Sequence, residues 1–296
     1  RNYLEVKKLI NQNNFNKIFI VTGYNSYNIS GANKYFKNIF VNKNTKFFFK
    51  KKLIPEIHEL INIIKEINLF EPDLIIGLGG GAVLDYAKLS NVFFSEKNIK
   101  YKVEKSIFNF KKKKAKLLTI PTTAGSGAEV TPFAVLYIGN QKYSVEHSLV
   151  KPDYHFLIPE LVLRGSKFLK ASSGFDAISQ ALESMFSVKS NNESLKFSSK
   201  SLKLSINNYE SFIKKPNTSN TLNMCYAANL AGRAISTAKT NGPHAVSYPF
   251  SSFYKISHGH AVSLTLNQFL SLYYFQSNKS IASFDIKKRF EQIYKI

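Results

Sequence analysis

The stretch "IIGLGGGAVLDYAKL", Ile75 to Leu89, decides the fold. An apolar run breaks on three successive glycines, Gly79, Gly80 and Gly81, and restarts at helical spacing with Asp85 and Lys88 on the new helix. A buried strand that feeds a glycine turn and then a helix is the unit of a parallel sheet with crossover helices. Glycines at such a junction let a ligand approach the backbone, and the helix start aims unpaired N–H groups at it, so a phosphate is the natural occupant. The spacing is not the G-x-G-x-x-G of the common dinucleotide fold, and a tight connection without a ligand is the competing reading.

The same alternation continues on both sides. "KIFIVTGYNS" (Lys17 to Ser26) is a β-branched run ending in Thr-Gly, and "LIPEIHELINIIKEINLF" (Leu53 to Phe70) carries apolar residues at helical spacing. "KLLTIPTTAGSGAE" (Lys116 to Glu129) is a strand followed by a loop of hydroxyls and tiny side chains. From about Ser172 the pattern turns helical, in "SSGFDAISQALESMFSV", "SLKFSSKSLKLSINNYESFI" and "TLNMCYAANLAGRAIST". The chain is expected to divide into an α/β domain over residues 1–160 and a helical, metal- and substrate-binding domain over 161–296, the boundary lying where Pro152, Pro159 and Gly165 punctuate Lys151 to Lys170.

Composition narrows the classes. The 296 residues, 44% hydrophobic, suffice for one or two cores. The single Cys225 excludes an intramolecular disulfide and fits a reducing compartment, so a cytoplasmic location is expected. No apolar run is long enough to span a bilayer, and the first residues lack a signal-peptide pattern; no membrane partner is expected. The net charge of +22 points formally to nucleic acid, but the excess is nearly all Lys and is spread along the chain. Its densest run, "FKKKKAK" (Phe110 to Lys116), has no interleaved stacking aromatics and leads into a strand, so nucleic-acid binding is the minor reading.

Two further segments carry chemistry. In "PTTAGSGAEVT" (Pro121 to Thr131), Thr122, Thr123 and Ser126 can donate to phosphate or ribose oxygens, and the Gly and Ala residues leave room for a flat ring. Asp176 stands near the start of a helix with Gln180 one turn on, and His244, His258 and His260 gather in "NGPHAVSYPFSSFYKISHGHAV". Carboxylate and imidazole together suit a borderline divalent cation, zinc or ferrous iron. An acid favoured by the helix dipole is the alternative for Asp176.

Taken together, these motifs resemble the iron-containing (group III) alcohol dehydrogenases. That family's G-G-G-S-x-x-D-x-A-K stands here as "GGGAVLDYAK", its P-T-T-x-x-T-G-S-E as "PTTAGSGAE", its G-x-D-A-x-x-H-A-x-E as "GFDAISQALE", and its two spaced histidines as His244 and His258. The resemblance implies a Rossmann-like N-terminal domain, an all-α C-terminal domain, NAD or NADP as cofactor and one divalent metal. On this basis Gly79, Gly80 and Gly81, with Asp85, hold the cofactor pyrophosphate side, Thr122, Thr123 and Ser126 line its path, and Lys142 contacts it. Gly23 stands where many NAD-specific members carry a ribose-binding Asp, which leaves NADPH admissible. Asp176, His244 and His258 match family metal ligands, while Gln180 replaces the expected His; Tyr248 replaces a second active-site His.

"ASSGFDAISQALESMFSV" and "TAKTNGPHAVSYPFSSFYKISHGHAVSLTL" are similar to the phosphonoacetaldehyde reductase branch, which makes 2-hydroxyethylphosphonate. The expectation is a reductase of a small anionic aldehyde, with His258 on the metal and Lys239, or Arg233, meeting the anion. Another dehydrogenase of the same family and a metal-dependent lyase or cyclase of the dehydroquinate-synthase kind are the alternatives. A homodimer is compatible with the resemblance. Family members continue beyond "EQIYKI", so the C-terminal domain is expected to be incomplete at Ile296.

Overall fold

In a computed structural model, residues 2–296 are described. They form two compact units, residues 2–123 with 128–165, and residues 124–127 with 166–296. The first unit begins with α1 (Asn2–Gln12), β1 (Lys17–Gly23), α2 (Tyr24–Ile29), α3 (Ala32–Phe36) and β2 (Asn44–Lys50). It continues with α4 (Ile57–Phe70), β3 (Leu74–Gly79), α5 (Gly81–Val92), α6 (Ile99–Glu104) and β4 (Lys116–Pro121). A hairpin of β5 (Phe133–Ile138) and β6 (Gln141–Glu146), the short β7 (Tyr154–His155) and α7 (Pro159–Leu163) complete it.

The main sheet is parallel, in the order β2-β1-β3-β4-β7. Because strand residues alternate between faces, Phe19, Val21, Ile75 and Leu117 enter one core with α4 and α5, while Ile18, Ile20, Ile76 and Leu118 enter another with α1, α3 and α7. Both faces are therefore apolar, as a covered parallel sheet requires. The strand order reverses between β1 and β3, and open α/β sheets bind ligands outside the carboxyl ends of their strands at such a switch point. Gly23 ends β1, Gly79 ends β3, and Thr122 and Thr123 follow β4, so these four of the residues expected to meet the cofactor lie at that one edge, whereas Lys142 stands in β6 of the hairpin and Ser126 belongs to the second unit. The antiparallel β5–β6 hairpin is an addition that the reading of alternating strands and helices did not contain.

The second unit is helical: α8 (Lys167–Phe186), α9 (Asn192–Lys214), α10 (Thr218–Ala238), α11 (Gly242–Tyr254), α12 (His258–Phe275) and α13 (Ile286–Tyr294). Side-chain caps set the starts of α8, α9 and α10: Ser166 accepts from the Leu169 N–H, and Asn191 and Asn217 each form a reciprocal capping box. The cap at Ser166 corrects one expectation. Asp176 lies in the middle of α8 and is buried, so a favourable interaction with the helix dipole does not explain it. Cys225 is buried in α10, and among the described residues no helix is long and apolar enough to cross a membrane.

Candidate metal centre and cofactor edge

The metal-type residues come from three helices of the second unit. Asp176 and Gln180 are one turn apart on α8, His244 sits in the first turn of α11, and His258 opens α12. What brings α12 onto α8 is Gly259: a Cβ there would run into the Ser172 carbonyl and come within 3.1 Å of the Asp176 Cβ. Ser172 and Ser257 seal the contact with a hydroxyl hydrogen bond of 2.9 Å. The consequence is a cluster in which one donor atom each from Asp176, His244 and His258 lies within 4.8 Å of the others. His244 Nε2 stands 3.2 Å from Asp176 Oδ1 and His258 Nε2 stands 4.0 Å from it. Tyr248 stacks on the His258 ring at a centroid distance of 6.3 Å.

A fourth group fixes His244. Glu183, 1% exposed on α8, accepts from His244 Nδ1 at 2.5 Å through Oε1, and its Oε2 accepts the Asn241 N–H at 2.8 Å. With Nδ1 occupied, Nε2 is the nitrogen directed at Asp176. Burial alone would pull the His244 imidazole down, but Glu183 and then Asp176 outweigh it and push its pKa up to about 9. At Asp176 burial works in the raising direction and is overcome by the His244 hydrogen bond, the His258 charge and the Gln180 amide, which hold the carboxyl below its ordinary range. Glu183 was not among the residues singled out from sequence. Its signal was present: Asp176, Gln180 and Glu183 stand at i, i+4 and i+7, one polar stripe on a buried helix face.

These residues fit a divalent cation. The donor set is a carboxylate and two imidazoles, and the buried Gln180 Oε1 beside them has no hydrogen-bond partner. His260 does not join the cluster. It is two residues past His258 on a helix, hence turned to another face, where it is exposed beside the Phe168 ring.

At the sheet edge of the first unit, Gly80 is extended (φ −74°, ψ 178°), and a Cβ on it would meet only the Thr123 side chain, at 3.6 Å. Neither backbone conformation nor packing within the chain demands glycine there, whereas Gly79 is needed for packing, since a Cβ would lie 2.6 Å from Val83. Gly81 opens α5, whose start has no side-chain cap and whose Val83 N–H returns to the Gly80 carbonyl at 2.9 Å. Thr122 donates its N–H to the Gly79 carbonyl at 3.0 Å.

Asp85 accepts the Val135 N–H and faces Lys88 and Lys142; burial pushes its carboxyl up to about 6 against those charges. Lys88 is fully buried and donates to Thr131 Oγ1 and the Phe133 carbonyl at 2.9 and 2.7 Å. This pair ties α5 to the hairpin.

One expectation from the sequence is revised in the second unit. The room at Gly125 and Gly127 is not left for a flat ring: a Cβ on Gly125 would meet the Ser173 carbonyl of α8 at 2.7 Å, and one on Gly127 (φ 60°) the Gly232 Cα of α10 at 2.6 Å. Ser126 lies between these two packed glycines. Lys239 is the C-cap of α10, its ammonium 3.5 Å from the Ser236 carbonyl, and it lines a cavity of about 770 Å³ with Phe186, Asn241 and Tyr273. Arg233 donates to Asn229 at 3.0 Å and lies over the Phe197 ring. Lys239 also holds φ 67° and ψ 173°, a conformation that is nearly glycine-only. Lys239→Gly is expected to stabilise the fold by roughly 1 kcal/mol and raise Tm by a few degrees in a thermal scan.

Family models match in the same two parts. Residues 2–159 match the iron-containing alcohol dehydrogenase model and residues 170–295 its C-terminal counterpart. The chain belongs to the iron-containing alcohol dehydrogenase family. It is 31% identical over 238 residues to the bifunctional aldehyde-alcohol dehydrogenase of Escherichia coli K12, a match covering 75% of this chain and 26% of that protein. It is 28% identical over 217 residues to the phosphonoacetaldehyde reductase of Streptomyces viridochromogenes, covering 70% of this chain and 55% of that one. The iron-containing alcohol dehydrogenase of Thermotoga maritima superposes with a TM-score of 0.86 at 26% identity, over 99% of this chain and 80% of its own. The family is one of NAD-linked, metal-dependent alcohol dehydrogenases, and the α/β plus all-α architecture expected from the sequence is the family's.

Proposed function

We propose that this chain is the core of a metal-dependent, NAD(P)H-linked reductase that converts a small aldehyde to a primary alcohol. The observation that carries the reading is the convergence of Asp176, His244 and His258, supported from behind by Glu183. Asp176, His244 and His258 would hold the ion, and the Gly80 turn with the α5 N-terminus would hold the cofactor's pyrophosphate. When bound, the two groups supply Lewis acidity towards the carbonyl oxygen and hydride for the carbonyl carbon.

The chain's own residues do the rest. Glu183 holds the Nδ1 proton of His244 and so keeps Nε2 turned to the reacting face. Tyr248 stacks its phenol on His258, where the hydroxyl is a hydrogen-bond donor available to the product oxygen.

Among aldehydes, phosphonoacetaldehyde is favoured, on the likeness to the Streptomyces reductase and on the strongly cationic chain, which steers anions. The test is a screen of phosphonoacetaldehyde against propionaldehyde with NADH and NADPH. A phosphonate contact with a fixed cation is worth roughly 1.5–3 kcal/mol, or about one to two decades in kcat/KM. No preference between the two aldehydes would remove the phosphonate assignment and leave the general reductase. Lys239→Met should erase the preference if Lys239 is that cation; a parallel loss on both aldehydes would make its role structural.

The cofactor edge has its own test. Gly80→Val is expected to raise the NAD(P)H dissociation constant by about tenfold or more, which is about 1.4 kcal/mol. Because a Cβ at Gly80 meets only Thr123 within the chain, Tm should move little. Calorimetry showing unchanged binding to the folded variant would remove the pyrophosphate from Gly80.

A further inference from the structure

Gln180 is the position at which the metal centre departs from the family pattern, and its surroundings show what it does. Its side chain is 4% exposed, and Oε1 has no hydrogen-bond partner. The amide nitrogen faces the Asp176 carboxylate, one helical turn before it, and helps hold that carboxyl down. A buried amide oxygen without a donor is uncommon in a folded protein and calls for a cation or a water. The last torsion of a glutamine is broad and roughly two-fold, so half a turn exchanges Oε1 and Nε2 at little cost. The oxygen can thus take the position now held by the nitrogen, which is the one facing Asp176. An ion on Asp176 gives it reason to do so, because an N–H directed at a cation is repelled and a carbonyl oxygen is attracted.

We infer that Gln180 is an oxygen ligand of the Asp176, His244 and His258 centre, and that this two-nitrogen, two-oxygen donor set shifts the site's preference from Zn2+ towards Mn2+. The inference rests on the metal centre proposed above. Its physical basis is donor type: imidazole is the better partner for zinc, whereas carboxylate and carbonyl oxygens suit the harder manganous ion. Replacing an imidazole by an amide oxygen at one of four positions weakens zinc more than manganese.

Metal-stripped full chain, titrated with Zn2+ and with Mn2+ against a competing chelator, provides the test, with Gln180→His and Gln180→Ala beside the parent. Gln180→His is expected to tighten Zn2+ by at least about tenfold while changing Mn2+ much less, so that the ratio of the two dissociation constants moves by a decade. Gln180→Ala is expected to weaken Mn2+ by about tenfold. A ratio unchanged within twofold in Gln180→His, or Mn2+ binding equal to the parent in folded Gln180→Ala, would overturn the inference and leave a water as the partner of Oε1. A parent that binds neither ion would overturn the metal centre itself. Because the readout is a ratio of affinities, catalytic losses do not enter it.

Discussion

Replacing His258 with Ala is expected to cut the affinity for the divalent ion by at least about a hundredfold and to abolish aldehyde reduction while leaving the fold intact. Groups that merely support a metal ligand already cost 10–100-fold when removed, so loss of a donor atom sets that as a lower bound. The fold should survive because the His258 side chain is 38% exposed and its removal opens no closed cavity in the core. Asp176 and His244 remain in place, held by α8 and by Glu183, so the loss reports on the donor atom alone. His155→Ala, in β7 of the other unit, is the control and should alter neither metal content nor rate. Metal analysis finding equal content in His258→Ala and the parent would remove His258 from the centre.

The parts of this molecule that could be read from sequence are those in which one element's residues carry the whole signal. The glycine junction after β3 is contiguous, and strand, turn and helix start are written side by side from Ile75 to Leu89. Asp176, His244 and His258 could be assembled only because their motif contexts resemble a known family, since nothing local places residues of three helices together. Glu183 has no such context on its own, and its pairing with His244 is a tertiary contact.

The boundary of α8 was misread for a physical reason. Ser172, Ser173 and Gly174 look like a helix start, yet they are small because other elements lie on them. A Cβ on Gly174 would be 2.9 Å from the Tyr209 ring, and the start of α12 packs on Ser172. Small residues at a helix crossing and small residues at a helix end are alike in a single sequence. The β5–β6 hairpin was missed because "PFAVLYIGNQKYSVE" follows a loop already assigned to ligand chemistry, although its Gly139-Asn140 turn between alternating residues is a hairpin signal.

Glu183→Gln should change the pH dependence of the molecule as well as its metal affinity. In the metal-free protein His244 is pushed up to about 9 from an ordinary value near 6.5, so its folded pKa is the higher one. The stabilisation this provides is fully present below about pH 6.5 and is lost as pH rises through about 9. A gap of two to three pH units corresponds to roughly 3–4 kcal/mol, which is large against the margin of a domain. Gln cannot replace Glu183, because Oε1 accepts from the His244 ring and Oε2 accepts the Asn241 N–H, so an amide must present an NH2 to one of two donors. Without the carboxylate the imidazolium loses the largest of the interactions that raise it, and the stability of Glu183→Gln should be lower at pH 6.5 and nearly flat from there to pH 9. Denaturant midpoints of the two metal-free proteins at those two pH values measure this, and parallel profiles would assign the stabilisation to another pair. The metal follows by linkage. An ion taking His244 Nε2 displaces its proton, so the parent's apparent affinity should rise about tenfold per pH unit up to about pH 9. In Glu183→Gln the rise should level off at lower pH, and the plateau should lie 10–100-fold weaker because the ring is no longer held.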